Sequence, residues 1–124
     1  IEYLDLIWQE IGFHRTEQLS IRVENLNDVE KVLARIRQHH PEKIAGLQLL
    51  TFDDLARPQG NLPATNGVRF YLDDNVRIII RPSGTEPKMK CYIEVVRPDG
   101  SEKERAKAEV LIAALRTDLL SLLS

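Results

Sequence analysis

The chain has 124 residues, 43% of them hydrophobic and 29% charged, with a formal net charge of -2, the profile of a single soluble domain able to bury a real core. That balance argues against a general nucleic-acid binder, and no apolar stretch reaches membrane-spanning length. The lone cysteine, Cys91, excludes an internal disulfide and suits a reducing, cytoplasmic compartment.

Taken in chain order, Ile1, Leu4, Ile7, Trp8 and Ile11 recur at helical spacing, and Gly12 can stop that helix. Its apolar stripe must cover something, either this domain or a preceding one. Leu19, Ile21 and Val23 alternate with Ser20, Arg22 and Glu24, which predicts a half-buried strand. Asn27 or Asp28 can cap a helix whose face is Val29, Val32, Leu33 and Ile36, ending before Pro41. His39 and His40 at its end point about 100° apart on a helix, so they do not chelate one ion; the helix dipole explains basic groups there better. Residues Ile44 to Phe52 read as a strand with a break at Gly46.

The segment from Asp53 to Gly67 holds Pro58, Gly60, Asn61, Pro63 and Asn66 without periodicity, a long loop that is either functional or a surface excursion. Val68, Phe70 and Leu72 alternate toward Asp73-Asp74-Asn75, a tight turn rather than a metal site for want of further ligands. A strand from Val76 to Ile80 and another from Lys90 to Val96 follow; Cys91 alternates with Met89, Ile93 and Val95 and so reads as an inert thiol in the core. Ser101 and Glu104 have capping-box spacing before a last helix with a face of Val110, Leu111, Ala114, Leu115, Leu119 and Leu122. His14, Arg69, Arg77 and Arg97 read as solvated surface residues. The fold class expected is α+β: a two-layer sandwich of four or five mostly antiparallel strands with two helices on one face, plus a helix at the N-terminus.

The most informative run is Arg81-Pro82-Ser83-Gly84-Thr85-Glu86-Pro87-Lys88, set between two strands. Arg81 offers a planar fork of donors suited to phosphate oxygens, and the hydroxyls of Ser83 and Thr85 add more. Neither proline has an N–H, so the available amides are those of Ser83, Gly84, Thr85 and Glu86; Gly84 lets them converge on one anion. From Arg81 to Lys90 three basic residues stand against one acid, Glu86, in a chain that is otherwise acidic. Glu86 is read as structural, pairing with Lys88 or receiving an amide.

This run, continued by Met89-Lys90-Cys91-Tyr92-Ile93-Glu94, resembles the phosphate loop in the C-terminal domain of the phosphohexomutase superfamily, the phosphoglucomutases and phosphomannomutases. The opening segment, Tyr3-Leu4-Asp5 through Trp8-Gln9-Glu10-Ile11-Gly12-Phe13, is similar to the helix leading from the third to the fourth domain of those enzymes. The resemblance implies that residues 1–13 are an interdomain linker helix and 14–124 a phosphate-binding domain with a TATA-binding-protein-like fold. By position, Arg81, Ser83, Gly84 and Thr85 match the residues that grip the non-transferred phosphate, with Lys90 a further basic residue and Lys88 a second one. Met89 and Cys91 depart from the aliphatic or aromatic residues usual there, which touches packing more than contacts.

The resemblance further implies a magnesium-dependent enzyme that interconverts hexose 1-phosphate and hexose 6-phosphate, of glucose or mannose, through a phosphoserine and a bisphosphate intermediate. No Ser-His-Asn-Pro-like segment, Asp-x-Asp-x-Asp run or Gly-Glu-x-Ser-Gly-like loop occurs in the sequence, so the phosphoserine, the magnesium and the sugar loop are expected in preceding domains of the same chain. The chain opens on Ile1 and its sole methionine is Met89, which fits a piece of a longer enzyme, inactive by itself. No cofactor, metal or catalytic residue is expected within it, and neither nucleic acid nor membrane as a partner. A different class stays open beside this one: a non-catalytic α+β module that senses a phosphorylated metabolite or serves a partner protein.

Overall fold

The computed structural model describes residues 12–56 and 66–123. Six strands and two helices follow one another: β1 Phe13–Arg22, α1 Leu26–Gln38, β2 Lys43–Ile44, β3 Leu47–Asp54, β4 Val68–Leu72, β5 Val76–Pro82, β6 Lys88–Arg97 and α2 Glu102–Leu123. The strands form one sheet in the order β1-β6-β5-β4-β3-β2, every neighbouring pair antiparallel. The α+β sandwich is therefore as expected, with six strands in place of four or five.

The added strand, β2, and the greater length of β1 have physical causes. β1 begins at Phe13, well before Leu19, and beyond Phe13 its first half is polar on both faces, which hides it from the alternation rule. On the helix side Arg15 pairs with Glu109 and Glu17 with Arg116, so ion pairs with α2 replace the apolar alternation that marks a strand. β2 exists because the chain turns at Ala45 and Gly46, both at positive φ, and lays Lys43–Ile44 against Leu47 and Gln48. The proposed linker helix lies outside the described residues, apart from Gly12, a bend, and Phe13, the first residue of β1.

Period-2 geometry sends alternate residues to opposite faces. Val68, Phe70 and Leu72 of β4, Val76, Ile78 and Ile80 of β5, and Met89, Cys91, Ile93 and Val95 of β6 face the helices and are buried with Val29, Val32, Leu33 and Ile36 of α1. That face of α1 is the expected one. The cap is not: Asn25, in extended conformation, accepts from the Asp28 amide at 3.2 Å, so α1 starts before Asn27. On α2 the buried residues are Ala108, Ile112, Leu115, Leu119 and Leu123, while Val110 is 69% exposed. The expected stripe was thus rotated by part of a turn, since a helix rich in Leu and Ala presents two apolar stripes of similar strength. Ser101 caps it by accepting from the Glu104 amide at 3.3 Å.

All four residues read as solvated are at least half-buried. Arg69 and Arg97 are only 6% and 7% exposed. Arg69 donates through Nε and Nη2 to Asp53, at 3.0 and 2.7 Å, and Arg97 donates to Glu104 at 3.2 Å and to the Asp74 carbonyl at 3.4 Å. Arg77, half-buried, lies 3.1 Å from Glu94. Burial of these arginines follows pairing, which a strand pattern does not display. His14 is half-buried, with Nδ1 3.7 Å from Glu94. His39 caps α1 with its amide on the Arg35 carbonyl, and the His40 ring stacks on Phe52 at 4.3 Å. Asp73 to Asn75 form the anticipated turn.

Candidate functional site

The run from Arg81 to Lys88 closes the β5–β6 hairpin. Its geometry comes from local bonds. The Ser83 amide donates to the Lys88 carbonyl at 3.1 Å and the Lys88 amide to the Glu86 carbonyl at 2.8 Å. The Ser83 hydroxyl donates to the Glu86 carbonyl at 2.7 Å and accepts from the Glu86 amide at 3.1 Å. A serine that spans the loop in this way is the side-chain version of a turn bond. It also narrows the donor set: of the four amides between the prolines, those of Ser83 and Glu86 are spent on the loop, and those of Gly84 and Thr85 make no hydrogen bond among the described residues.

Gly84 sits at the tip with φ of +99°, a conformation L side chains rarely adopt. A Cβ built there would meet nothing within 4 Å. The glycine is thus required by the backbone, and the space over it is open. Gly84 and Thr85 are exposed, leaving two adjacent N–H groups and the Thr85 hydroxyl free to receive an anion.

The cations come from the open face of the sheet. Arg81 of β5 and Lys90 of β6 are opposed in register, and Arg22 of β1 is opposed to Lys88 of β6. All four lie on the side away from the helices, because the core residues Ile80, Met89, Cys91 and Ile21 take the alternate positions. The Arg81 guanidinium stands 5.1 Å from the Tyr92 ring centroid and donates to the Tyr92 hydroxyl at 3.3 Å. Lys90 has no ion pair among the described residues. Lys88 lies 3.6 Å from Glu86, as the sequence suggested, and Arg22 lies 3.1 Å from the same carboxylate. The hydrogen bond from Arg22, with the charge of Lys88 behind it, holds the Glu86 carboxyl below its usual range.

Six residues singled out in the sequence thus occupy one hairpin end, but not equally. Arg81, Gly84, Thr85 and Lys90 are available to a ligand; Ser83 shapes the loop, and Lys88 is shared with Glu86. Sequence reasoning missed Arg22 and Tyr92. Arg22 falls on the polar side of an alternating strand, and only the β1–β6 register brings it to the loop. Tyr92 had a weak signal, two positions after Lys90 and hence on the same face. Among the described residues, no three of His, Cys, Asp and Glu converge so as to hold a metal ion, and no helix is long and apolar enough to cross a membrane.

Residues 19–113 match the family model described as phosphoglucomutase/phosphomannomutase, C-terminal domain. The chain belongs to that family. A probable phosphomannomutase of Haemophilus influenzae is 33% identical, over 87% of this chain and 22% of its own length. A phosphoglucomutase of Staphylococcus aureus is 30% identical, over 77% of this chain and 20% of its own length. The chain thus spans about a fifth of the curated relatives it matches. In shape it is similar to part of the open form of the exocytosis-sensitive phosphoprotein pp63/parafusin, a phosphoglucomutase from Paramecium, with a TM-score of 0.54 and 21% identity, covering 99% of this chain and 23% of that one. At that identity the likeness concerns the fold.

Proposed function

We propose that this domain grips the non-transferred phosphate of a hexose phosphate within a phosphohexomutase that interconverts the 1- and 6-phosphates of glucose or mannose. The observation that carries the reading is the hairpin end itself, where the amides of Gly84 and Thr85 and the ammonium of Lys90, none of them bonded among the described residues, lie beside Arg81. A phosphate monoester dianion needs several donors and a positive field, and both are concentrated here. The domain has no part in moving the phosphoryl group. It fixes one end of the sugar, or of its bisphosphate intermediate, so that the other end meets the reactive serine and magnesium that preceding domains of the same polypeptide would supply. Holding a reactant at a distance from the chemistry still lowers the barrier, because orientation is settled before reaction.

Titration of this chain with glucose 1-phosphate, followed through its backbone amides, tests the grip. The amides of Gly84 and Thr85 should shift most, and the effect should weaken as salt is raised. If the largest shifts fall away from the hairpin end, the assignment fails. Binding here with no mutase activity in the complete polypeptide would instead favour a module that senses a phosphorylated metabolite.

A further inference from the structure

Building on the phosphate-grip reading, we propose that Arg22 is a further phosphate-binding cation of the site, stored on the Glu86 carboxylate until a phosphate monoester takes its place. Three observations converge. Arg22 and Lys88 are register partners on adjacent strands, on the same face, so their charges repel unless an anion lies between them. Glu86 supplies that anion, with Oε2 3.1 Å from the Arg22 guanidinium and Oε1 3.6 Å from the Lys88 ammonium. The position of Arg22 does not depend on this pair, because the next residue, Val23, donates its amide to the Pro87 carbonyl at 2.8 Å and pins the end of β1 to the loop.

The pair is made to be exchanged. The side chains of Arg22 and Glu86 are 65% and 51% exposed, and an ion pair so open to water contributes little to stability. A phosphate dianion seated on the Gly84 and Thr85 amides carries more charge than a carboxylate and offers three oxygens to a guanidinium fork. Arg22 would therefore turn from Glu86 to the ligand by side-chain rotation alone. The site then closes from two strands, with Arg81 on β5 and Arg22 on β1 flanking the lysines of β6.

Steady-state kinetics on the complete enzyme, with glucose 1-phosphate and mannose 1-phosphate assayed in parallel, provide the test. Arg22→Ala should raise KM about 3- to 10-fold while kcat stays within about twofold, as expected when a contact to bound substrate is lost. Arg22→Lys, which keeps the charge without the fork, should recover part of that loss, and the melting temperature of both variants should stay within about 2 °C of the parent. An unchanged KM in Arg22→Ala, alongside a marked loss in Arg81→Ala, would reduce Arg22 to a surface partner of Glu86 and overturn this inference alone. No effect of Arg81→Ala would remove the reading beneath it. On this chain, titration with inorganic phosphate should also move the Arg22 Nε–H resonance together with the Gly84 and Thr85 amides; a resonance that stays still while those amides move refutes the exchange.

Discussion

Arg81 and Lys90 face each other across β5 and β6, and among the described residues only Arg81 is steadied, by the Tyr92 ring and hydroxyl. Two cations opposed on one face of a sheet are unfavourable without an anion. The arrangement is understandable where a third, negative group completes it. In the complete enzyme Arg81→Ala should therefore cost about 2–4 kcal/mol of transition-state stabilisation, read as kcat/KM. A loss below about twofold would count heavily against the grip, since twofold is only about 0.4 kcal/mol.

Gly84 separates a backbone effect from a ligand effect. Because a Cβ there meets no protein atom, Gly84→Val should cost the fold only the strain of an unfavourable φ, about 1–2 kcal/mol. Activity should fall by more than that, as the added side chain would stand over the two free amides. Denaturant midpoints and kcat/KM measured on the same variant give both quantities; equal losses in the two would show that nothing approaches the loop closely.

Arg97 and Glu104 tie the end of β6 to the first turn of α2, and both side chains are largely shielded from water. Removing one member leaves the other uncompensated, so Arg97→Ala should lower stability by about 3 kcal/mol in urea unfolding. Glu109 lies on the surface, and Glu109→Ala, which breaks its pair with Arg15, should leave the urea midpoint close to that of the parent. Equal costs would mean that the burial of Arg97 is not maintained in solution.

What could be read from sequence depended on whether one residue's signal was local. The core of α1, the β5–β6 hairpin and the placement of the loop between those strands are carried by period and by Pro and Gly, and these were legible. The first half of β1 was not, because its helix-side positions are satisfied by Glu109 and Arg116, far away in the chain. Nor was the full register of α2, where Leu115 and Leu119 are buried as expected but Ala108, Ile112 and Leu123 join them and Val110 does not. The bonds of the Ser83 hydroxyl to the Glu86 backbone were hidden for a related reason: a hydroxyl in a loop has the same sequence signature whether it bonds a ligand or the neighbouring backbone. Arg22 belongs to the site only through strand pairing.

The corrected face of α2 makes its own prediction. Leu115 is fully buried, so Leu115→Ala should cost about 2–5 kcal/mol, through lost transfer energy and the cavity left behind. Val110→Ala, on the exposed side, should change stability by less than about 0.5 kcal/mol. Comparable costs at the two positions would restore the face that periodicity alone suggests, which holds both residues.

Cys91 links the core to pH. Burial pushes its thiol from an ordinary 9.0 up to about 12, so the folded protein keeps this proton at a pH where the unfolded chain has released it. A folded pKa raised for a group that is neutral when protonated has a definite sign: stability is untouched below the unfolded pKa and declines as pH climbs from about 9 toward 12, by up to about 1.4 kcal/mol per pH unit. Cys91→Ala removes the titrating group, so its stability should be lower at neutral pH because of the smaller side chain, yet fall less steeply above pH 9. Urea midpoints of the two proteins at a series of alkaline pH values isolate the difference from lysines and tyrosines, which both share. Parallel curves would mean that the thiolate forms as readily in the fold as outside it, and the same protein should then react quickly with a thiol reagent at pH 8, where a buried Cys91 should be nearly inert.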